Sequence, residues 1–71
     1  MTPIQFRNRL AQLRLTQRGC SRLLKVNDRT VRRWADDRDL RCPIPQAVAY
    51  LLGLMVLLRV GPEDLERLVR D

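Results

Sequence analysis

The chain has no histidine, only two cysteines, and one residue each of Phe, Trp and Tyr. A structural zinc site takes four Cys or His ligands, and Cys20 and Cys42 lie far apart with no CxxC pair, so no metal is expected. No Ser or Cys stands with a plausible base, which argues against an enzyme; no catalytic residue, cofactor or small-molecule ligand is expected. Long apolar runs are also missing. The longest nearly uninterrupted one, Ala47 to Leu58, is twelve residues including Gly53, short of the roughly 20 needed to span a bilayer. The N-terminus is polar and carries Arg7 and Arg9, unlike a secretory signal. A cytoplasmic protein without a membrane partner is therefore expected.

What is present fits one small folded domain over residues 1–71. Hydrophobic residues make up 45% of the chain and charged residues 31%, a globular rather than a disordered balance. The apolar material is mainly Leu, Val and Ala, and Leu and Ala are strong helix formers. At 71 residues the core is thin, and such a domain often draws part of its stability from an oligomer. The formal net charge is +6 and it is one-sided: residues 1–41 hold eleven Lys/Arg against four Asp, while residues 42–71 hold three Arg against four acids. A field of that shape attracts a polyanion such as nucleic acid. General solubility is the alternative, and an even spread would have favoured it. Thirteen of the fourteen basic residues are Arg, whose planar fork suits phosphates and guanine edges.

Periodicity predicts an all-α fold, a compact bundle of about five short helices containing a helix-turn-helix. Thr2-Pro3-Ile4-Gln5 reads as a helix start, with Thr as cap and Pro at the first position. Phe6, Leu10 and Leu13 recur at helical spacing behind it. Thr16 caps a short second helix from Gln17 to Leu24, whose apolar side is Cys20, Leu23 and Leu24. Lys25-Val26-Asn27 is the turn, with Asn27 a preferred cap. Asp28 then suits the first turn of a third helix to Ala35, with Val31, Trp34 and Ala35 on one face. Residues 36–45, rich in acids and with two prolines, read as a loop. A fourth helix from near Pro45 to about Arg59 is apolar on every side, the pattern of a helix buried all round. Gly61-Pro62 stops it and opens a last helix striped by Leu65, Leu68 and Val69.

Residues 17–36, QRGCSRLLKVNDRTVRRWAD, resemble the helix-turn-helix of the Cro/phage-repressor (Xre-like) family. Two helices that cross steeply need a small residue where they touch, and Ser21 stands there. Apolar residues are needed at the fourth, eighth, tenth, fifteenth and eighteenth positions, and Cys20, Leu24, Val26, Val31 and Trp34 supply them. Gln17 opens the second helix as Gln often does in the family, and Thr30-Val31-Arg32-Arg33-Trp34 is a recurrent recognition-helix string. Lys25 departs from the pattern, because the family often has Gly at this corner. A left-handed residue other than Gly is mildly costly, so a slightly reshaped turn is expected.

The resemblance, which spans roughly residues 3–60, implies sequence-specific binding of double-stranded DNA through the major groove. With Val31 inward and 100° per residue, Arg29 falls at about 160° and Arg33 at about 200°. Both point away from the core, one turn apart, and are the expected base readers. Arg32 flanks them, placed for a phosphate or a neighbouring base edge, with Asp36 as its i+4 partner. Gln17, Arg18, Arg22, Asn27 and Thr30 are the expected backbone contacts. Asp28 could accept from cytosine but suits helix capping better. Arg7, Arg9 and Arg14 read equally as a solvated face or as auxiliary phosphate contacts. Trp34 reads as a core plug.

The fourth helix has more apolar surface than three short helices can cover. One face is expected in the core and another against a second copy, with residues 45–71 as the dimerisation region and Tyr50, Leu54, Leu57, Leu58 and Leu65 at the interface. The expected function is a homodimeric repressor that reads an inverted repeat in a promoter of a phage or mobile element. Small members of the family include Cro-like phage regulators and autorepressors that accompany anti-CRISPR genes. Two alternatives stay open: an antitoxin that binds both DNA and a toxin, and an interaction adaptor that uses only the apolar fourth helix.

Overall fold

The computed structural model describes residues 1–38 and 42–70. Five helices account for most of them: α1 (Pro3–Gln12), α2 (Gln17–Leu24), α3 (Asp28–Ala35), α4 (Gln46–Leu58) and α5 (Pro62–Arg70). No strand occurs among the described residues.

Each of the first three helices starts where a side chain takes up an orphan amide. At α1 the Gln5 amide donates to Thr2 Oγ1 at 3.1 Å and the Thr2 amide donates to Gln5 Oε1 at 2.9 Å, a reciprocal capping box. Thr16 Oγ1 accepts from the Gly19 amide at 2.9 Å, and Asn27 Oδ1 from the Arg29 amide at 2.8 Å. α4 follows Pro45 without a side-chain cap. At α5 the Gly61 amide donates to Asp64 Oδ2 at 2.8 Å, and Glu63 and Asp64 sit in the first turn, favourable at the positive end of a helix dipole.

The helix ends share a less legible device. Arg14, Lys25 and Arg59 each adopt left-handed backbone, with φ of 54°, 58° and 56°. The following amide reaches back five residues in every case: Leu15 to the Leu10 carbonyl at 2.9 Å, Val26 to Ser21 at 3.1 Å, and Val60 to Met55 at 3.0 Å. These bonds satisfy carbonyls that a helix end leaves open. Leu15, Val26 and Val60 then turn onto the core, the apolar contact that accompanies such ends. Lys25 thus occupies the left-handed corner itself, with ψ of 40°, and the expected reshaping of the turn is not found.

The core is built from Phe6 and Leu10 of α1, Cys20 of α2, Val31, Trp34 and Ala35 of α3, and Leu52 and Met55 of α4. α3 packs on α2 and α1, and α1 packs on α4. The rings of Phe6 and Trp34 meet edge to face, 5.9 Å between centroids at 86°, a favoured aromatic geometry. Trp34 is 4% exposed and so is the core plug its spacing predicts. After α3 the chain is not helical at 36–38 and 42–45, as expected of a loop, and the rest of that loop, 39–41, lies outside the described residues. Ile44 and Cys42 pack back on the core, and Arg7 Nη2 stands 3.9 Å from Asp37 Oδ2, bringing α1 to the chain beyond α3.

α4 corrects one expectation. Within this chain it is not buried all round: only Leu52 and Met55 are buried, and Tyr50, Leu54, Leu57 and Leu58 are exposed. The core covers one side of it and no more. Leu65 of α5 differs from those four, being half-buried against the chain's own core.

Candidate nucleic-acid interface

α3 is eight residues long, about 12 Å at 1.5 Å per residue. Its inner side is fixed by Val31, Trp34 and Ala35, which are 0%, 4% and 4% exposed. Seating those three leaves Arg29, Arg32 and Arg33 on the exposed side, where the 100° period puts Arg29 and Arg33 opposite Val31. Thr30 is half-buried at the edge. The three guanidinium groups therefore share one helix face, held from behind by the core.

α2 crosses α3 at Ser21, which is 4% exposed. Its hydroxyl donates to the Arg18 carbonyl at 2.7 Å and also lies against the Asp28 carboxylate. The cap of α3 is Asn27 rather than Asp28. Asp28 instead couples the first turn of α3 to α2 through one of its carboxylate oxygens. A hydroxyl buried between two helices needs such partners, since an unsatisfied one costs about 1–3 kcal/mol.

Beside this crossing lies an open cleft of about 610 Å³, lined by Arg18, Ser21, Arg22, Lys25, Val26, Asn27 and Asp28. It gathers three of the expected backbone contacts, Arg18, Arg22 and Asn27. Gln17, half-buried at the start of α2, and Thr30 are not part of it. The Asn27 oxygen is occupied by capping, so any bond from Asn27 to a phosphate comes from its NH₂ group. Sequence reasoning noted Lys25 only as a departure at the turn, whereas the structure adds it to this cationic rim. The signal was present: Arg18, Arg22 and Lys25 stand at i, i+4 and i+7, one stripe of a helix.

Asp36 does not pair with Arg32 as its i+4 spacing suggested. Its carboxylate accepts from the Arg38 amide at 3.0 Å and from Arg38 Nε at 3.3 Å. The backbone at Asp36 has already left the helix, with φ of −94° and ψ of 108°, so the i+4 geometry is gone. The Arg38 amide, and then the Arg38 guanidinium, hold the Asp36 carboxyl below its ordinary range. Of the α1 arginines, Arg9 donates to Gln12 at 3.2 Å and Arg7 faces Asp37.

Cys20 sits behind the cationic surface, fully buried, with its thiol pushed up to about 11 by burial. The neutral thiol persists at physiological pH, and Cys20 packs as a small apolar residue. Groups of three or more His, Cys, Asp or Glu able to hold a metal ion are absent among the described residues. No described helix is long and apolar enough to cross a membrane. The exposed surface of α2, the turn and α3 carries Arg18, Arg22, Lys25, Arg29, Arg32 and Arg33.

Comparison of the chain with known protein families, with curated proteins and with solved structures finds no match.

Proposed function

We propose that this chain is a sequence-specific, double-stranded-DNA-binding regulator, acting in the cytoplasm as a homodimeric repressor. The observation that carries the reading is α3: a helix anchored by Val31, Trp34 and Ala35 that turns Arg29, Arg32 and Arg33 outward. A helix enters the major groove of B-DNA, which is about 12 Å wide, and Arg pairs bidentately with guanine O6 and N7. The cleft rimmed by Arg18, Arg22 and Lys25 suits the phosphates alongside, whose role is to position rather than to specify. The resemblance of residues 17–36 to the Cro/phage-repressor helix-turn-helix supports the same assignment and adds the expected target, an inverted repeat in a promoter of a phage or mobile element.

In a dimer of this kind two recognition helices lie about 34 Å apart, one turn of DNA. The exposed apolar side of α4, with Tyr50, Leu54, Leu57 and Leu58, supports pairing through that helix. It equally supports a protein-interaction adaptor in which the arginines of α3 play no part, and one experiment separates the two. Purified protein is used to select duplexes from a randomised pool at about 0.15 M salt, where non-specific attraction is screened. An inverted repeat with half-site centres about 10 base pairs apart is expected. Arg33→Ala and Arg29→Ala should each lose preference at one base position per half-site, worth about 1–3 kcal/mol of discrimination. An unchanged selected sequence with both variants would overturn the recognition-helix assignment, whereas recovery of no motif by the folded wild type would leave the adaptor or the antitoxin.

A further inference from the structure

Gly53 stands in the interior of α4, a thirteen-residue helix, where glycine is less stable than alanine. No backbone reason requires it, because no glycine of the chain has positive φ. No neighbour requires it either: a Cβ at Gly53 would meet nothing within 4 Å. Gly19 shows the contrast. There a Cβ would press on Leu15 Cδ1 at 3.0 Å and Thr16 Oγ1 at 3.1 Å, so the chain itself demands a small residue. At Gly53 the demand is not made from within.

Gly53 helps line a shallow groove of about 450 Å³ with Ala49, Tyr50, Leu54 and Leu57. Ala49, one turn earlier, is the other small residue. Tyr50, Leu54 and Leu57 rise around them, 65%, 52% and 74% exposed. From Gln46 to Leu58 the helix carries no Asp, Glu, Lys or Arg.

We propose that this groove receives α4 of a second copy of the chain, the two helices crossing at Gly53. The inference deepens the homodimer reading and rests on it. A two-fold contact uses the same patch twice, so the patch must carry both a depression and the ridges that fill it. This face has both: the Ala49–Gly53 floor, and the Tyr50, Leu54 and Leu57 side chains that would enter the floor of the other copy. Charge points to the same occupant. Two chains of net charge +6 repel wherever basic surfaces meet, and the outer side of α4 brings no charge to the contact. A foreign partner selected for a cationic chain would carry acids, and this face offers them no counter-charge. Tyr50, Leu54 and Leu57 are each more than half exposed, so the contact draws on apolar surface that the chain itself leaves uncovered. Close approach at a glycine lets backbone and side chains meet at contact distance.

Sedimentation equilibrium of the full chain over roughly 1–200 µM tests the proposal, since association is read from its concentration dependence. The wild type should dimerise in the micromolar range. Gly53→Leu should weaken association by about 100-fold or more, and Gly53→Ala by less. Circular dichroism should show helix content kept or raised in both variants, because the site is open within the chain and both residues favour helix. Tyr50→Arg, at an exposed position, should dissociate the dimer independently of any effect at Gly53. Wild-type association unaffected by Gly53→Leu removes the crossing point and leaves the dimer. A wild type that stays monomeric throughout removes both, and gives the groove to a different protein.

Discussion

Trp34 is the residue through which α3 is tied to the rest of the chain, its ring edge-on to Phe6 and almost wholly buried. Trp34→Ala should destabilise the fold by about 3–5 kcal/mol, the usual cost of emptying so large a buried site. Arg29→Ala, at an exposed position on the same helix, should stay within about 0.5 kcal/mol of the wild type. Urea denaturation followed by circular dichroism distinguishes them, and similar losses for both would refute this division of α3 into an anchored and an exposed face. That division is legible in the sequence, because Val31, Trp34 and Ala35 repeat at helical spacing while the arginines fall between. The partner of Asp36 was not legible. The i+4 rule assumes that the helix continues, and here it ends one residue too soon, so Arg38 rather than Arg32 supplies the cation.

The helix starts could be read because Thr2, Thr16 and Asn27 announce themselves by their side-chain oxygens. The ends of α2, α3 and α4 were also readable to within a residue, but not how they are made, since Arg14, Lys25 and Arg59 do work usually given to glycine. A left-handed conformation costs an L-residue about 1–2 kcal/mol, and here the backbone bond from the following amide and the inward turn of the next residue offset it. Lys25→Gly should therefore raise stability, by about 1 kcal/mol or less once the greater freedom of glycine in the unfolded chain is counted. A rise in the urea midpoint at unchanged slope is the expected reading; a fall would mean that the Lys25 side chain stabilises the turn by more than its backbone strain costs. In α4 the sequence showed a helix but not its inner side, because apolar residues all round leave no periodicity to orient it. Packing against the core, with α1 as the main neighbour, selects Leu52 and Met55. Gly53, which costs an exposed helix interior about 1 kcal/mol relative to alanine, is the residue whose presence that packing leaves unexplained.

Across the whole molecule, charge and apolar surface are divided between different elements. Residues 1–41 hold eleven of the fourteen basic side chains, while α4 carries no Asp, Glu, Lys or Arg and exposes Tyr50, Leu54, Leu57 and Leu58. The cationic bias was readable from the linear sequence because it is so uneven. The cleft that unites Arg18, Arg22 and Lys25 needed the turn of the chain to appear. On the proposed function Arg18 meets the DNA backbone, which serves every sequence alike, so Arg18→Ala should weaken binding uniformly and lower the salt dependence of log K by about one unit. Titrations of specific and scrambled duplexes at several salt concentrations give that slope, and a loss confined to the specific duplex would move Arg18 among the base readers. The division between faces has an optical consequence. The chain has one tryptophan and one tyrosine: Trp34 lies beneath the arginines of α3, and Tyr50 stands 65% exposed on α4. One native fluorophore thus lies buried behind the arginine face and the other stands on the apolar face, so the proposed seating of α3 on DNA and pairing through α4 would each reach a different emission band of the unlabelled protein.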